Sequence, residues 1–201
     1  MLHVETVSPD TLALLKRIQD LPILAETRLV GGTALALQLG HRRSIDLDFF
    51  GSWGDSNLQS ELESCGTVVR TGGTQRMQFY EVNAVKVDFV TYPYAWLKEA
   101  SIIDGIRLAR IEDIAAMKLE AIANRGSKKD FIDVAFLLNR FSLKEMLGLY
   151  QSKYPTGLKL LVMRSLVYFD DAETTDMPVM LKALGWDEAK ERICEAVRAT
   201  A

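Results

Sequence analysis

Three aspartates stand where carboxylates are costly. Asp46 and Asp48 lie in Ser44-Ile45-Asp46-Leu47-Asp48-Phe49-Phe50, and Asp88 lies in Val85-Lys86-Val87-Asp88-Phe89-Val90. Burying an ionised carboxylate among apolar neighbours is expensive unless something neutralises it, and Asp is depleted in strands. Asp46 and Asp48 are two apart on an expected strand, so their side chains leave the same face with Cα atoms roughly 6–7 Å apart. Such a pair can converge on one divalent ion, or on two ions about 3.5–4 Å apart. On the later strand Val85, Val87 and Phe89 share one face, while Lys86 and Asp88 share the other. If the two strands are neighbours, three carboxylates form an oxygen-rich site suited to Mg²⁺. Taken singly, each has the plainer reading of a solvated aspartate on a strand face.

Thirteen residues before Asp46, Gly31-Gly32-Thr33 follows a short apolar run and opens a helical one. Glycines there permit a tight turn and close approach of a phosphate to backbone N–H groups at a helix N-terminus. The Thr33 hydroxyl could add a donor. No Gly-Lys-Thr/Ser follows, so the turn is neither a Walker A loop nor a dinucleotide fingerprint. Further on, Lys118 and Arg125 are seven apart, on one face of an expected helix. Asp130 and Asp133 share a face of the next helix, whose apolar stripe is Phe131, Val134, Ala135 and Leu138. Asp130 is placed to complement the helix dipole. Asp133, between Ile132 and Val134, needs a basic partner, with Arg125 or Lys118 the candidates.

The elements that must position these residues fall into two kinds. Ser8 as N-cap and Pro9 at the first helical position start a helix carrying Leu12, Leu15 and Ile18. A strand at 28–30, a short helix from Thr33 to Leu39 stopped by Gly40, and a strand at 45–50 follow. A loop covers 51–57, and a helix 58–65. Strands are expected at 67–70, 77–82 and 85–91, the last two forming a hairpin at Asn83-Ala84. From Ile111 the pattern is helical, over 111–125, 128–140, 142–152, 157–168 and 187–199. The expected class is therefore α+β, with an α/β domain over 1–105 and an all-helical part over 106–201.

The chain has 201 residues, 48% hydrophobic and 25% charged, with a formal net charge of −3. This is a globular composition that exerts no global pull on nucleic acid or anionic membrane. Two cysteines (Cys65, Cys194) and two histidines (His3, His41) make no zinc cage and suit a reducing, cytoplasmic setting. No apolar run has transmembrane length, and the N-terminus lacks a signal-peptide core.

Glycine turn, short helix, Asp-x-Asp and a later strand Asp together resemble the polymerase-β-type nucleotidyltransferase superfamily. More narrowly, "GGTALALQLGHRRSIDLDFF", "KVDF" and "IEDIAAMKLEAIANRGSKKDFIDVAFLL" are similar to the AbiEii/AbiGii nucleotidyltransferase toxins of abortive-infection and toxin–antitoxin systems, and to the mycobacterial MenT enzymes. The resemblance covers about residues 29–140. It implies that Gly31, Gly32 and Thr33 hold an NTP, with Arg42 and Ser44 close by. It implies that Asp46 and Asp48 ligate Mg²⁺, with Asp88 as third carboxylate and general base on the acceptor. Lys118 would contact the triphosphate, and Arg125 with Asp130 and Asp133 would form the last motif, with nucleotide bound between the two domains. The implied reaction moves NMP from NTP to an acceptor, a tRNA 3′ end being favoured, in a toxin with a cognate antitoxin. RNA contact would have to use local patches such as Arg42-Arg43, Arg125 and Lys128-Lys129. Two other readings stay open: a silent nucleotide- or partner-binding module, and a γ-phosphotransferase using the same cradle.

Overall fold

A computed structural model describes residues 1–54 and 57–200. The part of the expected 51–57 loop at Asp55 and Ser56 lies outside the described residues. The chain divides into two compact units. One comprises Met1–Pro93 with Ala100–Ala109, the other Tyr94–Glu99 with Arg110–Ala201.

The first unit is built on a seven-stranded mixed sheet. Its strands are β1 (Arg28–Val30), β2 (Leu47–Gly51), β3 (Val68–Gly73), β4 (Met77–Val82), β5 (Val85–Thr91), β6 (Ser101–Ile103) and β7 (Ile106–Leu108), in the order β3-β4-β5-β2-β1-β7-β6. β2 pairs β5 in parallel and β1 pairs β7 in parallel, and the remaining pairs are antiparallel. Helices α1 (Pro9–Gln19), α2 (Gly31–Leu39) and α3 (Leu58–Glu63) pack against β7, against β1 and β2, and against β3 respectively.

Local chemistry explains these elements. The Ser8 side chain accepts from Thr11 N at 3.0 Å and Pro9 occupies the first helical position, which fixes the start of α1. Gly40, at φ 65°, ends α2 in the left-handed conformation. Asn83 and Ala84, at φ 51° and 63°, form the tight β4–β5 turn that matches strand twist. The Asn83 amide also donates to Cys65 O and accepts from Thr67 N, which ties that turn to the start of β3. Along β2 and β5 the alternation is strict. Leu47, Phe49, Val87 and Phe89 are fully buried, while Asp48 and Asp88 face the other way. Phe49 stacks on Phe89 at 5.2 Å between centroids. Each such ring contributes about 2–3 kcal/mol by burial, and together they fix the strand register.

The second unit holds α4 (Ile111–Asn124), α5 (Lys128–Leu137), α6 (Leu143–Lys153), α7 (Lys159–Ser165), α8 (Asp170–Glu173) and α9 (Trp186–Arg198). The segment Tyr94–Glu99 is bound to it by a buried ion pair. Lys153 Nζ lies 2.6 Å from Asp113 Oδ1, donates to Ala95 O and sits 4.6 Å over the Trp96 ring. The Asp113 carboxylate also accepts from Leu97 N and Lys98 N. Among the described residues no helix is long and apolar enough to cross a membrane.

The mixed α/β sheet and the helical second half match the expected α+β class. Boundaries differ in places: α2 starts at Gly31, β2 at Leu47, and α5 ends at Leu137. The β6–β7 hairpin and α8 were not expected from the sequence.

Candidate active site

The site in the α/β unit starts where β1 runs into α2. Gly31 adopts φ +67°, and a Cβ there would land on Asp48 Oδ2. A Cβ on Gly32 would land on Arg42 Nη2 and lie 3.4 Å from Ser44 Oγ. Gly31 is required by its left-handed backbone, and a side chain at Gly32 would have to push the Arg42 guanidinium aside: the turn lies between a carboxylate and a guanidinium. The first-turn N–H groups of α2 have no intrahelical acceptor and carry the positive end of its dipole.

Arg42 is buried, at 3% exposure, and its Nη1 donates to Arg43 O at 3.0 Å. It belongs to the turn, whereas Arg43 is exposed. Thr33 is fully buried; its hydroxyl donates to the Asp46 carbonyl and hydrogen-bonds the Ser44 hydroxyl at 2.8 Å. This side chain braces the loop that carries Ser44 and Asp46, so the groups left to meet a phosphate are the turn amides and its neighbours.

Asp48 is the register partner of Asp88 on the parallel strand, and of Val30, the residue before Gly31. Adjacent strands lie about 4.8 Å apart, so the two carboxylates leave the same face side by side. Asp46 sits one residue before β2 begins. Asp88 Oδ2 is 3.0 Å from Lys86 Nζ, while its Oδ1 is buried and has no hydrogen-bond partner among the described residues. The hydrogen bond to Asp88 holds the Lys86 ammonium above the ordinary lysine value, and the charges of Asp88, Asp46 and Asp48 add to this against partial burial.

Whether these residues fit a divalent cation can be tested on the donors themselves. Among the described residues no three His, Cys, Asp or Glu side chains are gathered tightly enough to hold a metal. The expected three-carboxylate cluster is thus present as a neighbouring pair, Asp48 and Asp88, with Asp46 at the entrance to β2. All the donors are carboxylate oxygens, and one buried oxygen lacks a partner. That chemistry fits a hard cation such as Mg²⁺.

A second charged cluster lies wholly in the helical unit. Lys118 Nζ is 2.9 Å from Asp130 Oδ1 and 2.6 Å from Asp133 Oδ2, with Lys118 only 5% exposed. Lys118 is thus the partner of Asp133. Arg125, just past the end of α4 and well exposed, places Nε 3.5 Å from Asp130 Oδ2, and Ser127 Oγ donates to the same oxygen. Burial alone would raise the Asp130 carboxyl, but Lys118, Ser127 and Arg125 together hold it below the usual range.

The structure therefore brings Gly31, Gly32, Thr33, Arg42, Ser44, Asp46, Asp48 and Asp88 together in one unit, and Lys118, Arg125, Asp130 and Asp133 together in the other. One charged residue at the first site, Lys86, was not among the expected site residues. The signal for it was the two-residue spacing that puts it on the Asp88 face.

Comparison with known proteins agrees with this picture. The family described as "Nucleotidyl transferase AbiEii toxin, Type IV TA system" matches residues 13–198. The chain is 35% identical over 166 residues to the protein aq_aa25 of Aquifex aeolicus (strain VF5), covering 79% of this chain and 81% of that one. Its fold is similar to JHP933 from Helicobacter pylori, with a TM-score of 0.56 at 20% identity over 96% of this chain and 92% of that one. It is similar also to MenT4, a nucleotidyltransferase toxin of Mycobacterium tuberculosis H37Rv, with a TM-score of 0.55 at 17% identity over 94% and 84%. A match over nearly the whole length, on a fold of the polymerase-β type, leads to one conclusion: the chain belongs to the AbiEii nucleotidyltransferase toxin family and is a nucleotidyltransferase.

Proposed function

We propose that this enzyme transfers a nucleoside monophosphate from an NTP to an RNA acceptor, a tRNA 3′ end being favoured, using Mg²⁺ bound at the neighbouring Asp48–Asp88 pair, with Asp46 at the entrance to β2. The observation that carries this reading is the packing of the Gly31-Gly32 turn against Asp48 on one side and Arg42 with Ser44 on the other. It sets a phosphate-binding turn and a carboxylate pair side by side.

When bound, the cation neutralises charge on the attacking and leaving oxygens of an in-line displacement at the α-phosphorus. The turn amides, aided by the α2 dipole, bind phosphate oxygens, and Arg42 keeps the turn in place. Thr33 fixes Ser44 and Asp46 against it. Asp88 accepts the proton of the acceptor hydroxyl as the hydroxyl oxygen bonds the α-phosphorus and pyrophosphate leaves. In the helical unit, Lys118 bridges Asp130 and Asp133, and Arg125 is the exposed cation of that cluster. Arg43, Arg125 and Lys129 are exposed cations open to RNA phosphates. The family places the enzyme in a toxin–antitoxin system, so a cognate antitoxin is its expected regulator.

The test incubates the protein with tRNA, Mg²⁺ and NTPs labelled at either the α or the γ phosphorus. Label from the α position is expected on the RNA, and Asp48→Ala is expected to lower that transfer by about a hundredfold or more. Transfer of γ label, or transfer unchanged in Asp48→Ala, would refute the proposal.

A further inference from the structure

We propose that Lys86 is a tethered counter-ion of the carboxylate site, competing with the divalent cation for Asp88 and so setting the site's affinity for it. This inference rests on the metal-binding reading above.

The geometry points to competition rather than to a fixed structural pair. Lys86 and Asp88 lie two apart on one face of β5, with Nζ 3.0 Å from Oδ2. Asp88 is only 15% exposed on its side chain, and its other oxygen has no hydrogen-bond partner among the described residues. The lysine therefore holds the one oxygen of Asp88 that has a partner. Asp46 and Asp48 also act on the same ammonium, so its charge answers all three carboxylates. A cation arriving at Asp88 must either displace this ammonium or accept a positive charge beside its own ligand.

Displacement is easy for this side chain. Lys86 is 58% exposed, so its stem moves through water and not through a packed core. Its cross-strand register partner is Glu81, which is exposed and offers the released ammonium another carboxylate. A buried lysine such as Lys118 or Lys153 has neither freedom.

The experiment titrates Mn²⁺ alone into the full chain by calorimetry, without nucleotide, for wild type, Lys86→Met, Lys86→Arg and Asp48→Ala. Lys86→Met should bind about three- to tenfold tighter than wild type, because one repelling charge is removed, while Lys86→Arg keeps that charge and should stay near wild type. Thermal melts in chelator should show Lys86→Met folded but melting lower than wild type, and rising further when Mn²⁺ is added. Equal or weaker Mn²⁺ binding by Lys86→Met, beside wild-type binding that Asp48→Ala abolishes, overturns the role of Lys86 and leaves the metal site standing. No Mn²⁺ binding by either wild type or Lys86→Met overturns the metal site and the inference together.

Discussion

Asp130 is a carboxylate without solvent access, with Lys118, Arg125 and the Ser127 hydroxyl around it. Its folded pKa is depressed by these partners, so its contribution to stability is present above the unfolded value, near 4, and is lost as pH falls through the folded value. Asp130→Asn should cost about 3 kcal/mol at pH 7, measured by urea unfolding, and the gap to wild type should narrow below roughly pH 4. A gap that stays constant from pH 7 to pH 3 would mean that the charge of Asp130 is not what stabilises. Asp133's need of a basic partner was legible in the sequence from its place deep in an apolar helical run, between Ile132 and Val134, and Lys118 is that partner. The direction of the Thr33 hydroxyl was not. It depends on α2 starting at Gly31, which puts Thr33 two positions deeper than a helix starting at Thr33 would.

At the scale of elements, the strands that carry aspartates announced themselves through alternation, since a one-residue slip would bury the charge and expose Phe49 or Phe89. The β6–β7 hairpin escaped because each strand has three residues, too short for a period to register. Its turn residues Asp104 and Gly105, at φ 54° and 78°, were the only local sign. The Asp113–Lys153 pair escaped for another reason: its partners lie on α4, α6 and the 94–99 segment, and no spacing rule spans them. Removing one member leaves a buried charge, so Lys153→Met should cost about 3–5 kcal/mol. An apolar double replacement, Asp113→Leu with Lys153→Met, should not restore stability, because the Leu97 and Lys98 amides would lose their acceptor at about 1–3 kcal/mol each. Full recovery of the urea midpoint in the double variant would show that the carboxylate's hold on the segment is dispensable.

For the molecule as a whole, the chain passes between its two units three times, at 93–94, 99–100 and 109–110. A cut at 109–110 therefore deprives the helical unit of residues that belong to it. A fragment of residues 110–201 lacks the Ala95 carbonyl, the Trp96 ring and the two amides that satisfy Lys153 and Asp113. It should unfold at a lower urea concentration than a fragment of residues 94–201, followed by far-ultraviolet circular dichroism; equal midpoints would contradict this. The parallel pairing of β2 with β5 has a bearing on synthesis as well. Asp48 gains its neighbour Asp88 only after β3, β4 and β5 have been made and the last has joined β2. Such long-range parallel closure is slow compared with forming a hairpin. On the ribosome, a nascent chain that has not yet emerged through β5 carries half of its acid pair, so the toxin cannot assemble that pair before β5 is out.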